Sequence, residues 1–77
     1  MAQQRERFRT VYRDCQIAVD HEQQDDGRWR AWWEALCGGD RLHNAPRTEV
    51  RGRFDDVEAA KDAGLSEAKK WIDKLKG

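Results

Sequence analysis

Residues 28–36 run Arg-Trp-Arg-Ala-Trp-Trp-Glu-Ala-Leu, directly after the turn signal Asp25-Asp26-Gly27. Apolar and charged side chains alternate with a period of two, which suits a half-buried strand and excludes an amphipathic helix. One parity carries Trp29, Ala31, Trp33 and Ala35; the other carries Arg28, Arg30, Trp32 and Glu34. Residues 10–22 alternate as well, and the pattern places Val11, Cys15, Ile17 and Val19 on one face. Directly opposed residues of antiparallel strands share a face, so Val19 must meet an odd-numbered residue of the second strand. A two-residue Asp26-Gly27 loop would set Val19 against Glu34, core against surface. A three-residue loop, Asp25-Asp26-Gly27, sets Val19 against Trp33, Ile17 against Ala35 and Cys15 against Cys37. It also gives Gly27 the left-handed position such loops require. A five-residue loop would keep the same register.

A third strand is expected over residues 47–54, with Thr48, Val50, Gly52 and Phe54 on one face and Arg47, Glu49, Arg51 and Arg53 on the other. A helix follows, with Asp55 as N-cap and Glu58 completing a capping box. Val57, Ala60, Gly64, Ala68, Trp71 and Leu75 then recur at helical spacing, with Ile72 beside them. Gly64 in that stripe costs about 1 kcal/mol against alanine; a close approach of helix to sheet is the expected reason, and a break in the helix there is the other reading. The expected fold is therefore α+β: a three-stranded antiparallel β-meander with one C-terminal α-helix on one face. Residues 1–8 are expected to be a flexible tail and residues 9–77 a single domain.

The order Tyr12…Ile17-x-Val19, Asp26-Gly27-x-Trp29-x-Ala31, Gly52-x-Phe54-Asp55-x-x-Glu58-Ala59-Ala60 and Trp71-Ile72-Asp73 resembles a group of small uncharacterised bacterial β-β-β-α proteins. It is also similar, more distantly, to the HicB-type antitoxin domain. That likeness covers roughly residues 12–74 and implies the fold, with an antitoxin role as one functional expectation. Where HicB domains carry a Pro-Asp-Leu-Pro-Gly stretch, this chain has residues 37–46, Cys-Gly-Gly-Asp-Arg-Leu-His-Asn-Ala-Pro.

Composition narrows the function. The chain has 77 residues with fifteen basic and fifteen acidic side chains, so bulk polyelectrolyte binding is not expected. Charge is nonetheless segregated: every base before position 55 is arginine and every base after it is lysine. No uninterrupted apolar run exceeds three residues, which is far too short for a membrane helix. The arginine-rich start does not read as a secretory signal, and a cytoplasmic location is expected.

Cys15, His21, Cys37 and His43 form two Cys-x5-His pairs, but six strand residues span about 20 Å and cannot close on one ion. No metal and no cofactor is expected. Cys15 opposite Cys37 lies within disulfide range, about 4.5–5.5 Å at Cα. The reducing cytosol favours two neighbouring thiols instead. Ser66 has no histidine at a useful spacing, and Asp25-Asp26 and Asp55-Asp56 are explained by a turn and a cap, so no catalysis and no small-molecule substrate are expected. The sheet face without a helix is where a binding function belongs. Its expected contact residues are Trp32, Arg28, Arg30, Arg51 and Arg53. A protein partner or a second copy is the first expectation, with Trp32 as anchor. Single-stranded nucleic acid, stacking on Trp32 with arginines on phosphate, is the alternative.

Overall fold

A computed structural model describes residues 5–38 and 42–77. It contains β1 (Arg5–Tyr12), β2 (Cys15–Gln23), β3 (Trp29–Cys37), β4 (His43–Glu49) and α1 (Val57–Lys76). The strands form one antiparallel sheet in the order β1-β2-β3-β4, and α1 packs against β2 and β3 on one face. The fold is α+β, as the sequence pattern implies, but the sheet has four strands and not three.

The extra strand comes from the chain before residue 15. Arg13 and Asp14 both have positive φ, 50° and 65°, and form a two-residue hairpin turn. Residues 10–12 therefore belong to β1, and the reversal pairs Val11 with Gln16, turning Val11 away from the core. It is 68% exposed, against the expectation that it shares a face with Cys15. Arg5–Phe8, expected as tail, are the first half of β1; the rest of that segment, residues 1–4, lies outside the described residues.

The β2–β3 hairpin has the register the alternation requires: Val19 faces Trp33, Ile17 faces Ala35 and Cys15 faces Cys37. Gln24 N–H donates to the Arg28 carbonyl at 2.7 Å, closing the three-residue loop, with Gly27 at φ 86°. Cys15 and Cys37 are joined in a disulfide, Cα–Cα 4.2 Å, which corrects the expectation of two thiols. The register brings the sulfurs together in a fully buried position, where a closed bond removes two thiols from the apolar core.

The strand expected over residues 47–54 ends at Glu49 and starts earlier, at His43. Val50 N–H still reaches the Ala31 carbonyl at 2.9 Å, but Gly52, at φ 91°, bends the chain outward. Phe54 then returns to pair with Trp29 as an isolated bridge. A register shift between Trp33 and Ala35 marks a bulge opposite Pro46 and Arg47, where proline cannot donate to the ladder. Residues 39–41 of the stretch 37–46 lie outside the described residues.

The N-cap of α1 is Asp56, one residue later than expected; its carboxylate accepts from Ala59 N–H at 2.8 Å. Glu58 consequently sits too early to close a capping box and pairs with Lys61 at 3.1 Å instead. Ala60, Gly64, Ala68 and Ile72 form the buried stripe, with Val57 and Trp71 half-buried beside it. The helix is unbroken at Gly64. Small residues at four-residue spacing let α1 settle directly onto Val19, and a Cβ at Gly64 would stand 2.7 Å from Val19 Cγ1. Trp33 Nε1–H donates to Glu67 at 3.1 Å, satisfying the one polar atom of a buried indole. Among the described residues no helix is long and apolar enough to cross a membrane.

Two measurements check this packing. Gly64→Ala should destabilise the domain by about 1–2 kcal/mol despite its better helix propensity, because the clashing methyl belongs to a stiff, buried β-branched side chain. Adding Val19→Ala in the same chain should recover part of the loss, read by urea midpoint. Thiol titration of protein purified without reductant should find no free thiol. The Cys15→Ser, Cys37→Ser double variant should lose about 3 kcal/mol, the loop-closure value for a separation of 22 residues.

Candidate functional site: the helix-free sheet face

The face opposite α1 is built from one parity of each strand. Register sets Arg7, Asp20, Trp32 and Glu49 in one row across all four strands, with Arg5, Glu22 and Arg30 in the next. On the other side lie the rows Arg9, Ala18, Glu34 and Val11, Gln16, Leu36, Asn44. Alternation explains this placement: once Ile17, Val19, Ala31 and Trp33 are committed to the core, their neighbours must face outward.

Charged side chains link the strands in three clusters. Arg7 forks onto Asp20, Nε–Oδ1 2.6 Å and Nη2–Oδ2 3.0 Å, and reaches Glu34 at 3.0 Å. Arg47 approaches the same Asp20 at 3.6 Å. Arg30 forks onto Glu49 at 2.7 and 2.6 Å, and Arg5 meets Glu22 at 2.6 Å. The hydrogen bonds from Arg7 hold the Asp20 carboxyl below its usual range, and those from Arg30 do the same for Glu49.

Trp32 lies between two of these clusters. The Arg30 guanidinium stands 4.8 Å from the indole centroid and that of Arg47 4.6 Å. Two cations against one ring hold it in place by electrostatic attraction and leave it half-buried. Beside it, a groove of about 450 Å³ runs along Arg7, Asp20, Arg30 and Arg47. A second, of about 520 Å³, crosses the small Ala18 between Val11 and Leu36, with Arg9 and Asn44 at its margin. Leu36 is 39% exposed, so this half of the face is apolar where the other is ionic.

Of the expected contact residues, the structure brings together Trp32 and Arg30. Arg28 sits at the hairpin end, its N–H bonded to Asp26 and its side chain 3.8 Å from Asp55. Arg51 and Arg53 are exposed in the bend after β4 and do not project from a strand, because Gly52 turns the chain there. Arg53 still adds to the field that keeps Glu49 ionised. Two members of the cluster were missing from the expected set: Arg7, assigned to the tail, and Arg47. The signal for Arg7 lies in the sequence, since Arg5, Arg7 and Arg9 alternate with Glu6, Phe8 and Thr10 as a strand would.

On the core side of the same sheet end, His21 is 4% exposed, edge-on to Trp29 at 5.9 Å, with Nδ1 4.0 Å from Glu6. That Nδ1 has no hydrogen-bond partner among the described residues. The disulfide removes both cysteines from any metal set, and no cluster of three or more His, Cys, Asp or Glu among the described residues could hold an ion. At the other end of the molecule, Tyr12 O–H and Arg13 both donate to Asp73 at 2.9 Å, tying the first turn to α1. Those two bonds keep the Asp73 carboxyl low.

Residues 5–77 match the family described as Domain of unknown function (DUF6566), and the chain belongs to that family. No curated protein and no solved structure matches it.

The ion network makes stability depend on acid pH in one direction. Asp20 and Glu49 are easier to ionise folded than unfolded, so their contribution is complete above the ordinary carboxylate values of about 3.9–4.3 and is lost as pH falls through and below them. Asp20→Asn should cost about 1 kcal/mol near neutrality. The gap to the parent should narrow progressively as pH falls below the ordinary carboxylate range, as read by thermal melts across pH.

Proposed function

We propose that this family member is a non-catalytic binding domain that engages a protein partner, or a second copy of itself, through the helix-free sheet face. The observation that carries the reading is Trp32, a large aromatic held in place by two guanidinium groups on an otherwise open face. A tryptophan fixed in advance loses little freedom on binding, and tryptophan and arginine dominate interface hot spots. The groove over Ala18 offers apolar contact beside it. Nucleic acid fits this face less well. Arg7 and Arg30 already have carboxylate partners, which a phosphate would have to displace. A cytoplasmic site of action, expected from the arginine-rich start, sits uneasily with a closed Cys15–Cys37 bond, which favours an oxidising compartment.

A photo-reactive residue at position 18, on the face, should yield protein adducts in the native host. The same residue at position 62, on the solvent side of α1, should not. Adding Trp32→Ala and Arg47→Ala should weaken the captured interaction by roughly tenfold or more. Equal adducts from both positions, or none from position 18, would sink the proposal. Salt-sensitive retention on single-stranded polynucleotide, abolished by the same pair of changes, would assign the face to nucleic acid instead.

A further inference from the structure

The two edges of the sheet are unequal. On the β4 side, Pro46 lacks an N–H, a register shift interrupts pairing with β3, and the strand stops at Glu49. These features blunt an edge against further strands. β1 has none of them. It runs eight residues with unbroken register from Arg5↔Glu22 to Tyr12↔Cys15.

Its backbone is also oriented for pairing. A two-residue turn makes Tyr12 and Cys15 a hydrogen-bonded pair, and bonding alternates along an antiparallel ladder. The short Cα–Cα distance of Cys15–Cys37, 4.2 Å, marks a non-bonded pair on the β3 side of β2 and gives the same phase. Even-numbered residues of β1 therefore bond to β2. The N–H and C=O groups of Arg5, Arg7, Arg9 and Val11 point to the open edge.

Side chains state what would fit there. On the outer face the edge carries Arg5, Arg7 and Arg9, and Arg9 has no ion pair among the described residues. On the inner face α1 packs mainly over β2 and β3 and reaches β1 through side chains such as Asp73, leaving Phe8 and Tyr12 half-buried. Lys61 stands 4.9 Å from the Phe8 ring and Lys69 5.2 Å from that of Tyr12. Glu6, also on the inner parity, confines added acids to the outer one. A second copy of β1 fits poorly: every face-matched antiparallel register that overlaps six or more residues of β1 sets arginine against arginine, which destabilises pairing.

We propose that β1 is a docking edge for an extended acidic segment of a partner protein. The segment adds a fifth strand, with an acidic side chain against Arg9, the edge arginine without an ion pair among the described residues, and apolar ones over Phe8 and Tyr12. Main-chain bonds supply affinity and the alternating side chains supply selection. This edge is separate from Trp32 and does not depend on the reading of the sheet face.

The test uses the full chain and a blocked peptide of alternating glutamate and valine, with lysine replacing glutamate in one control and a scrambled order in another. Amide NMR should show saturable binding of the glutamate peptide, with slowed hydrogen exchange at Arg7, Arg9 and Val11. Val11→Pro removes one edge N–H without touching the β1–β2 ladder and should reduce affinity by roughly tenfold. Arg9→Glu should weaken the glutamate peptide by roughly threefold to tenfold and improve the lysine one. Trp32→Ala should change neither. Equal binding of the glutamate, lysine and scrambled peptides would overturn the proposal, as would protection confined to β4 or concentration-dependent pairing of β1 with itself. The charge reversal keeps the test decisive if the proline variant does not fold.

Discussion

Pairing of β2 with β3 in a single register carries the rest of the molecule. It sets Val19 beneath Gly64, places the two cysteine sulfurs within bonding distance, and puts Ile17, Ala31, Trp33 and Ala35 together under α1. A slip of one residue would turn Trp33 to solvent and Trp32 into the core, and no other feature of the chain could compensate. The helix adds to this a stripe of alanine and glycine that lets it lie unusually close. The core is therefore thin, with Trp29 and Trp33 its largest buried side chains and Trp71 half-buried beside them.

The outer face follows from the same register by exclusion. Its charges do not form a free basic field. Arginines from β1, β3 and β4 are matched to carboxylates from β2, β3 and β4, so ion pairs cross between all four strands. Each exposed pair contributes little alone, but connected pairs fix one another's geometry and hold Trp32 between two of them. Among the described residues of this face, the positive charge without an ion pair lies at the margin, on Arg9 and in the bend that carries Arg51 and Arg53. A partner meets a preorganised aromatic in the centre and available cations at the rim.

Much of the fold was legible because alternation and loop chemistry agreed. Gly27 required one loop, that loop required one register, and the register named the opposed pairs from Cys15↔Cys37 to Glu22↔Arg30. The first hairpin was missed for a local reason. Its turn uses Arg13 and Asp14 where glycine or asparagine normally announces positive φ, so residues 10–22 read as one strand. The end of β4 was misread because Val50 and Phe54 keep the right parity on either side of a bend at Gly52. The N-cap moved by one residue because Asp55 and Asp56 are chemically equivalent candidates and only the chain's exit from the sheet selects between them.

The sequence by itself determined which side chains of β2 and β3 face the core and which face water, since period and turn residues are local properties. It determined that Trp32 and Arg30 stand on the open face. The tertiary structure decided what those residues touch. Arg30 faces Glu22 across the ladder yet forks onto Glu49, and Arg47 crosses to Trp32, because side chains as long as arginine choose among several neighbours by three-dimensional geometry and not by position in the ladder. It also decided that residues 5–12 form a strand with an open edge, because pairing with β2 holds this arginine-rich segment of modest hydrophobicity extended.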